Sequence, residues 1–508
     1  MKVFLVAFLV SVLAVDCSAK MNVLFLVSDD MRPELASYLG PDFPSPVHPK
    51  MHTPHLDTLA SKSLLLKRAY VQQATCAPSR TSFLTGRRPD TTHVYHLSSP
   101  YFRDVGGNFT TIPQYFKQNG YLSVGMGKIF HPGKSSGHDD PISWSVPYWH
   151  ADRSFWKLSH RNHSWLSIKN ASVLEHHPLI DQQIAQHALE TLRRLAPAAK
   201  SGKQPFFLAA GFHKPHLPFI APEQFFDLYP RDDINLPDNE YAPWGMPPVA
   251  WSNYGELREY HDIAMLNATG AINSTLPPGV VKDLRRGYYA ALSFTDSLIG
   301  TIMDELAVLG LAENTIISFC GDHGWQLGEH GEWTKHTNFE DSTHTPMMLH
   351  IPGKTDEGIV TEALTEFVDL YPTLVEAAGF PPLELCPEEN STQVVLCREG
   401  ESLMPLIDNP NTSRWKTKAF SQFPRPVGIM GYTMRTDRYR YTEWVKFKYA
   451  PKYKPAWSAL NATELYDHIN DPEENNNLAV DSSSRSLVRE LSKQLHAGWR
   501  RDLPFQRN

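Results

Sequence analysis

Apolar positions along the chain fall into two rhythms. Short unbroken runs read as strands buried on both faces: Asn22 to Ser28 (NVLFLVS), Leu64 to Tyr70, Tyr121 to Gly125, Phe206 to Gly211 and Thr315 to Gly321. Between them, Ile180, Ile184, Ala188, Leu192 and Leu195 recur at helical spacing within Leu179 to Leu195, and Asp283 to Leu309 forms a long amphipathic stretch. Thr53-Pro54 caps a short helix, and Thr111 caps one that runs through Asn119. This alternation predicts an α/β fold, a mostly parallel sheet flanked by helices. After Asp408 to Arg414 (DNPNTSR) the rhythm changes. Gly431 to Val445 reads as a hairpin turning near Thr436-Asp437, and Ser484 to Trp499 as a closing helix. The expected organisation is a main domain over 20–410 and a smaller antiparallel C-terminal subdomain over 411–508.

The front of the chain carries an address. Lys2 followed by the apolar run Val3 to Val15 and the small residues Cys17-Ser18-Ala19 predicts a secretory signal over 1–19. That run is too short for a comfortable transmembrane helix, and no later stretch qualifies. Eight Asn-x-Ser/Thr sequons support export: Asn108, Asn162, Asn170, Asn267, Asn273, Asn390, Asn411 and Asn461. With Cys17 removed, four cysteines enter an oxidising compartment. Cys386 and Cys397 most simply close a surface loop, and Cys320 in its apolar run reads as a buried thiol. Cys76 is left over.

Composition narrows the class. At 41% hydrophobic and 20% charged, the chain is neither disordered nor a coiled coil nor a multi-pass membrane protein. A net charge of −7 without long basic runs disfavours a nucleic-acid partner.

Three predicted strands run into potential ligands: Asp29-Asp30, His213-Lys214-Pro215-His216, and Asp322-His323. Parallel sheets bind ligands beyond the carboxyl ends of their strands, so these groups are placed to converge. Adjacent carboxylates repel unless a cation lies between them. Three aspartates suit a hard ion such as Ca²⁺ or Mg²⁺, and His323 widens the choice toward a transition metal.

The most specific signal is Cys76-Ala77-Pro78-Ser79-Arg80, continued by Thr81 to Arg87 (TSFLTGR). It resembles the signature of the type I sulfatases, whose cysteine is oxidised to formylglycine by the formylglycine-generating enzyme. The resemblance implies an alkaline-phosphatase-like fold and hydrolysis of sulfate esters. It implies Ca²⁺ held by Asp29, Asp30, Asp322, His323 and residue 76, although many sulfatases carry Asn where His323 stands. It pairs Arg80 with the formylglycine and the metal-site carboxylates. Lys128 and His131, within Gly127 to His131 (GKIFH), match the family's sulfate-neutralising lysine and proton-accepting histidine. His213 and Lys335 match the pair that holds the ester oxygen and helps protonate the leaving alcohol. A helix beginning at Pro78-Ser79 would favour anions at this point.

The resemblance covers nearly the whole mature chain, through Gln72 to Tyr95, Phe212 to Phe219, Asp322 to Lys335, Ser421 to Pro426 and Ile429 to Val445. Within the family it is strongest to the lysosomal exoenzymes that remove 2-O-sulfate from terminal iduronate of heparan and dermatan sulfate. That implies a sulfated glycosaminoglycan substrate and delivery to the lysosome, with secretion as the alternative. His138 to Pro178 departs from the pattern: it matches poorly and lacks an expected cysteine. For substrate contacts, Arg435 or His216 is expected to meet the iduronate carboxylate, and Trp325 to stack on a sugar ring. Two alternatives stand beside this reading: a sulfatase for another sulfated sugar, an aryl sulfate or a phosphonate monoester, and a non-catalytic secreted glycan-binding protein.

Overall fold

A computed structural model describes residues 20–40, 47–157 and 161–504; the signal segment lies outside them. The buried runs become strands β1 (Asn22–Asp29), β2 (Leu64–Tyr70), β3 (Leu122–Gly127), β4 (Phe206–Pro215) and β5 (Thr315–Gly321), joined by β6 (Met347–His350) and β7 (Ile359–Glu366). They form one sheet in the order β7-β2-β6-β5-β1-β4-β3. Its pairings are parallel except for β6, which runs antiparallel to both neighbours. Central β1 shows why its sequence is apolar at every step. Val23, Phe25 and Val27 enter one core while Leu24 and Leu26 enter the other.

Helices fill both faces. On one side α1 (Pro54–Ala60), α4 (Ile180–Lys200) and α5 (Pro278–Val308) bury Leu56, Ile184, Leu192, Leu284 and Ile299. On the other, α2 (Cys76–Thr85), α3 (Ile112–Gln118) and α6 (Leu370–Ala377) bury Phe83, Phe116 and Leu374. Each such side chain contributes about 1.5–3 kcal/mol by leaving water. The Thr111 hydroxyl accepts from Gln114 N at 3.2 Å and the Gln114 side chain accepts from Thr111 N at 3.3 Å, completing a capping box for α3. Thr53 does not cap α1 with its side chain. Its hydroxyl instead accepts from Ala36 N at 3.1 Å and donates to Asp57 at 3.0 Å, tying a loop to the helix.

The C-terminal hairpin is part of a four-stranded antiparallel sheet: β8 (Ala419–Arg425), β9 (Ile429–Arg435), β10 (Tyr439–Lys448) and β11 (Lys454–Asp467). Helix α7 (Arg485–Ala497) packs Leu491 and Leu495 onto Met434, Tyr441 and Leu465. Cys386 and Cys397 are disulfide-bonded, and Cys76 and Cys320 are buried thiols. All eight sequon asparagines are exposed. Among the described residues no helix is long and apolar enough to cross a membrane.

Candidate active site

Register brings the chemistry together. Ser28 of β1 pairs with Gly321 of β5, Val27 with Gly211 of β4, and Gly127 of β3 with the same Gly211. The four strands therefore share one edge of the sheet, where Asp30, Asp322-His323 and Lys128 follow β1, β5 and β3 and His213 lies near the end of β4. The two glycines are required there. A Cβ on Gly127, whose φ is +72°, would lie 2.1 Å from the Gly211 carbonyl oxygen, and one on Gly211 would lie 2.1 Å from that of Lys128. Asp30 sits at φ 60°, and Thr334 and His336 flank Lys335 at φ 77° and 84°. Strained backbone of this kind persists where the surroundings fix a side chain in place.

Arg80 is the buried centre of the cluster. Its Nε donates to Asp322 at 2.8 Å and its Nη2 to Asp29 at 3.0 Å, while Nη1 donates to the carbonyls of Lys128 and Ile129. Lys128 Nζ pairs with Asp29 and lies 3.5 Å from Cys76 Sγ. Cys76 is the first residue of α2, two positions earlier than the sequence suggested, after an extended Thr75. The positive end of that helix therefore falls on residue 76 itself.

The electrostatics leave room for a cation. Burial raises Asp29, yet Lys128 and Arg80 outweigh it and hold this carboxyl well below its usual range. Burial pushes neighbouring Asp30 up despite His216 and Lys335. Asp29, Asp30, Asp322 and Glu256 face three permanent cations, Arg80, Lys128 and Lys335. His323 Nδ1 lies 2.9 Å from the Gly324 carbonyl and so donates to it. In the neutral ring Nε2 is then a lone pair, facing Asp30 at 3.4 Å, Asp322 at 3.5 Å and Cys76 Sγ at 3.4 Å. Carboxylates turned toward a histidine lone pair at these distances form a set that could hold a metal ion, with Asp29, Cys76, Asp322 and His323 close enough to share it.

Beside this cluster opens a cavity of ≈ 220 Å³, lined by Lys128, His131, His213 and His216 among others. Burial and the Lys128 charge push His131 down to about 3, and its Nδ1 has no hydrogen-bond partner. Burial and Arg153 likewise hold His213 well below its ordinary value. Both rings are held in the neutral form, and His213 Nε2 accepts from Arg153 Nη2. Lys335 stays charged: burial lowers it, but Asp30 and Glu256 more than compensate.

Sequence reasoning missed three contributors. Glu256 bridges Lys335 at 2.9 Å and His216 at 3.0 Å from the short helix Gly255–Arg258. Asp181, in the first turn of α4, accepts from His213 N and Lys214 N, both at 2.8 Å, and pins the turn after β4. An acidic residue opening a helix was the legible signal for it. Arg153, on the loop before the short helix Ser154–Lys157, lies with Nη2 3.0 Å from His213 Nε2.

Two expected substrate contacts are overturned. Trp325 is 1% exposed, with Lys335 Nζ 4.8 Å from its ring centre and Phe219 edge-on. It is a platform under Lys335 and has no face left for a sugar. Arg435 is buried in the C-terminal sheet, donating to Glu340 at 3.1 Å, and lines a different cavity. His216 does sit at the site, with Glu256 already its partner.

Comparison with known proteins places this constellation. The sulfatase family model matches residues 21–380, and a model described as N-sulphoglucosamine sulphohydrolase, C-terminal, matches 328–500. The chain is similar to the iduronate 2-sulfatases of Mus musculus, 38% identical, and Homo sapiens, 37% identical, each over 93% of both chains. Its fold resembles the phosphonate monoester hydrolase from Silicibacter pomeroyi, with a TM-score of 0.68 at 20% identity over 96% of each chain. With a matched family model over most of its length and the strand-end cluster just described, the chain belongs to the sulfatase family and is a sulfuric ester hydrolase.

Proposed function

We propose that the enzyme removes the 2-O-sulfate from a terminal uronic acid of a glycosaminoglycan, iduronate of heparan or dermatan sulfate, using formylglycine made from Cys76. One observation carries the reading. Cys76 stands at the N-terminus of α2 between Lys128 Nζ and His323 Nε2, while burial and the Asp29 charge push its thiol well above the normal range. A thiol held protonated is a poor nucleophile. Hydrated formylglycine would supply two geminal hydroxyls, one to attack sulfur and the other to release sulfate.

Ca²⁺ would be held by Asp29, Asp30, Asp322, His323 and residue 76, and would polarise the sulfuryl oxygens. The chain's own residues do the rest. Arg80 fixes Asp29 and Asp322 in position. Lys128 offsets charge gathering on the sulfate, and neutral His131 accepts the proton given up at residue 76. His213 and Lys335 hold the ester oxygen, and Lys335 stays cationic to support the departing alcohol.

The eight exposed sequons and the Cys386–Cys397 disulfide support passage through the secretory pathway to the lysosome. The deciding measurement is the mass of the peptide carrying residue 76, together with sulfate release from a 2-O-sulfated uronate disaccharide and from an aryl sulfate. Aldehyde at residue 76 and a preference for the disaccharide are expected. An active protein with an unaltered thiol overturns the nucleophile, and a preference for the aryl ester overturns the substrate.

A further inference from the structure

A uronate 2-sulfate carries two anions, the sulfate on C2 and the carboxylate on C5, which stand across the pyranose ring. Among the cations at the sulfate end, Arg80 and Lys128 pair with Asp29, Lys335 pairs with Asp30 and Glu256, and Lys214 Nζ donates to the His216 carbonyl at 2.8 Å. His216 is taken by Glu256, and Arg435 belongs to another part of the molecule. A carboxylate needs its own partner, placed a ring's width away.

The same cavity provides one. Its lining includes Lys128, His131, His213 and Arg153, with Leu217 among the apolar residues of its wall. Arg153 lies on the loop before the short helix Ser154–Lys157, and its side chain is exposed. Its Nη2 touches His213 Nε2 at 3.0 Å, and among the described residues it has no carboxylate oxygen within 4 Å. An arginine without an anion, at the mouth of a cavity whose other end is built for sulfate, is an incomplete pair. Its planar fork matches a carboxylate with two parallel hydrogen bonds.

We infer that Arg153 is the specificity-determining residue that receives the substrate carboxylate; this rests on the uronate reading above. His213 fixes the distance between the two anion sites, because it contacts Arg153 while lining the cavity beside Lys128. The apolar wall between them suits the hydrophobic face of a sugar ring. The assignment also places specificity in the segment 138–178.

The experiment compares kcat/KM for a 2-O-sulfated uronate disaccharide with that for its carboxyl-reduced analogue, in which CH₂OH replaces the carboxylate. Arg153→Gln is expected to lower the ratio of the two values about 10–100-fold, the range of a charge-assisted hydrogen bond, chiefly through KM for the acid. Arg153→Lys should restore part of the ratio. Any loss transmitted through His213 strikes both substrates and cancels. An unchanged ratio in an enzyme that does hydrolyse the uronate overturns the role of Arg153 alone. A wild-type enzyme that hydrolyses neither disaccharide but cleaves an aryl sulfate overturns the substrate reading, and this assignment with it.

Discussion

Two buried clusters in this molecule hold acidic side chains and histidine close enough to share an ion, yet they are built to opposite ends. One is the strand-end cluster around Asp29, Cys76, Asp322 and His323; the other joins the two sheets through Glu340, His468 and Glu474. In the second, every charge has an answer. Glu340 pairs with Arg435 and Arg440 and accepts from the Tyr70 hydroxyl at 2.7 Å. Glu474 pairs with Arg440, lies 2.8 Å from His468 Nε2, and accepts from Glu340 N at 2.8 Å. Burial works against ionisation there, but the arginines win, holding Glu340 well below the usual range and Glu474 down to about 2. In the first cluster Asp30 is raised, the His323 lone pair faces carboxylates, and His131 Nδ1 has no partner. A saturated charge network staples a fold, whereas an unsaturated one retains binding free energy for an ion and a substrate.

The largest expected effect tests the unsaturated cluster at its reactive point. Cys76→Ala should lower sulfate release on the order of 10⁴-fold or more while leaving the melting temperature near that of the parent. Retained activity would remove the distinction altogether. Chelation by EGTA should next abolish turnover and lower the melting temperature, with both restored by Ca²⁺. The same loss of metal binding in a Glu474→Gln protein would place the ion in the wrong cluster.

The saturated cluster should answer in stability rather than rate. Glu340→Gln leaves buried Arg435 without its carboxylate and Arg440 with Glu474 alone, and should cost about 3–5 kcal/mol by denaturant titration, with kcat/KM of the folded enzyme little changed. A smaller effect comes from carboxyls that neither cluster neutralises. Burial pushes Glu332 up to about 8 and Glu464 up to about 7, against 4.5 for a free glutamate. The folded chain therefore holds protons that the unfolded chain has released, so these groups favour the fold below pH 4.5 and that contribution is lost as pH rises through 7 and 8. Buried histidines oppose this trend only below about pH 6.5, where the unfolded chain takes up protons first. The melting temperature should accordingly drop by several degrees between pH 6.5 and 8, and Glu332→Gln should shrink the drop.

Strand–helix alternation was legible because a strand buried on both faces is apolar through its centre, as β1 is from Val23 to Val27. β6 escaped notice with four residues, and β7 because polar Thr and Glu interrupt its apolar positions. The start of α2 was misplaced because Pro78 suggested a first turn, whereas the backbone was already helical at Cys76. At the site, Asp29, Asp30, Asp322 and His323 could be read from their places after predicted strands. Glu256 and Arg153 could not, since one stands on a single-turn helix and the other on a loop, and both meet the cluster only through folding.

What the sequence determined by itself was the strand–helix alternation, the motif around Cys76 and the family, because periodicity and short motifs are local. Which charges stay unanswered was decided only in three dimensions. Trp325 and Arg435 had plausible chemistry for substrate, but packing enclosed the first beneath Lys335 and paired the second with Glu340. Whether a charged or aromatic group is available depends on who else reaches it, and in a folded chain those neighbours arrive from hundreds of residues away.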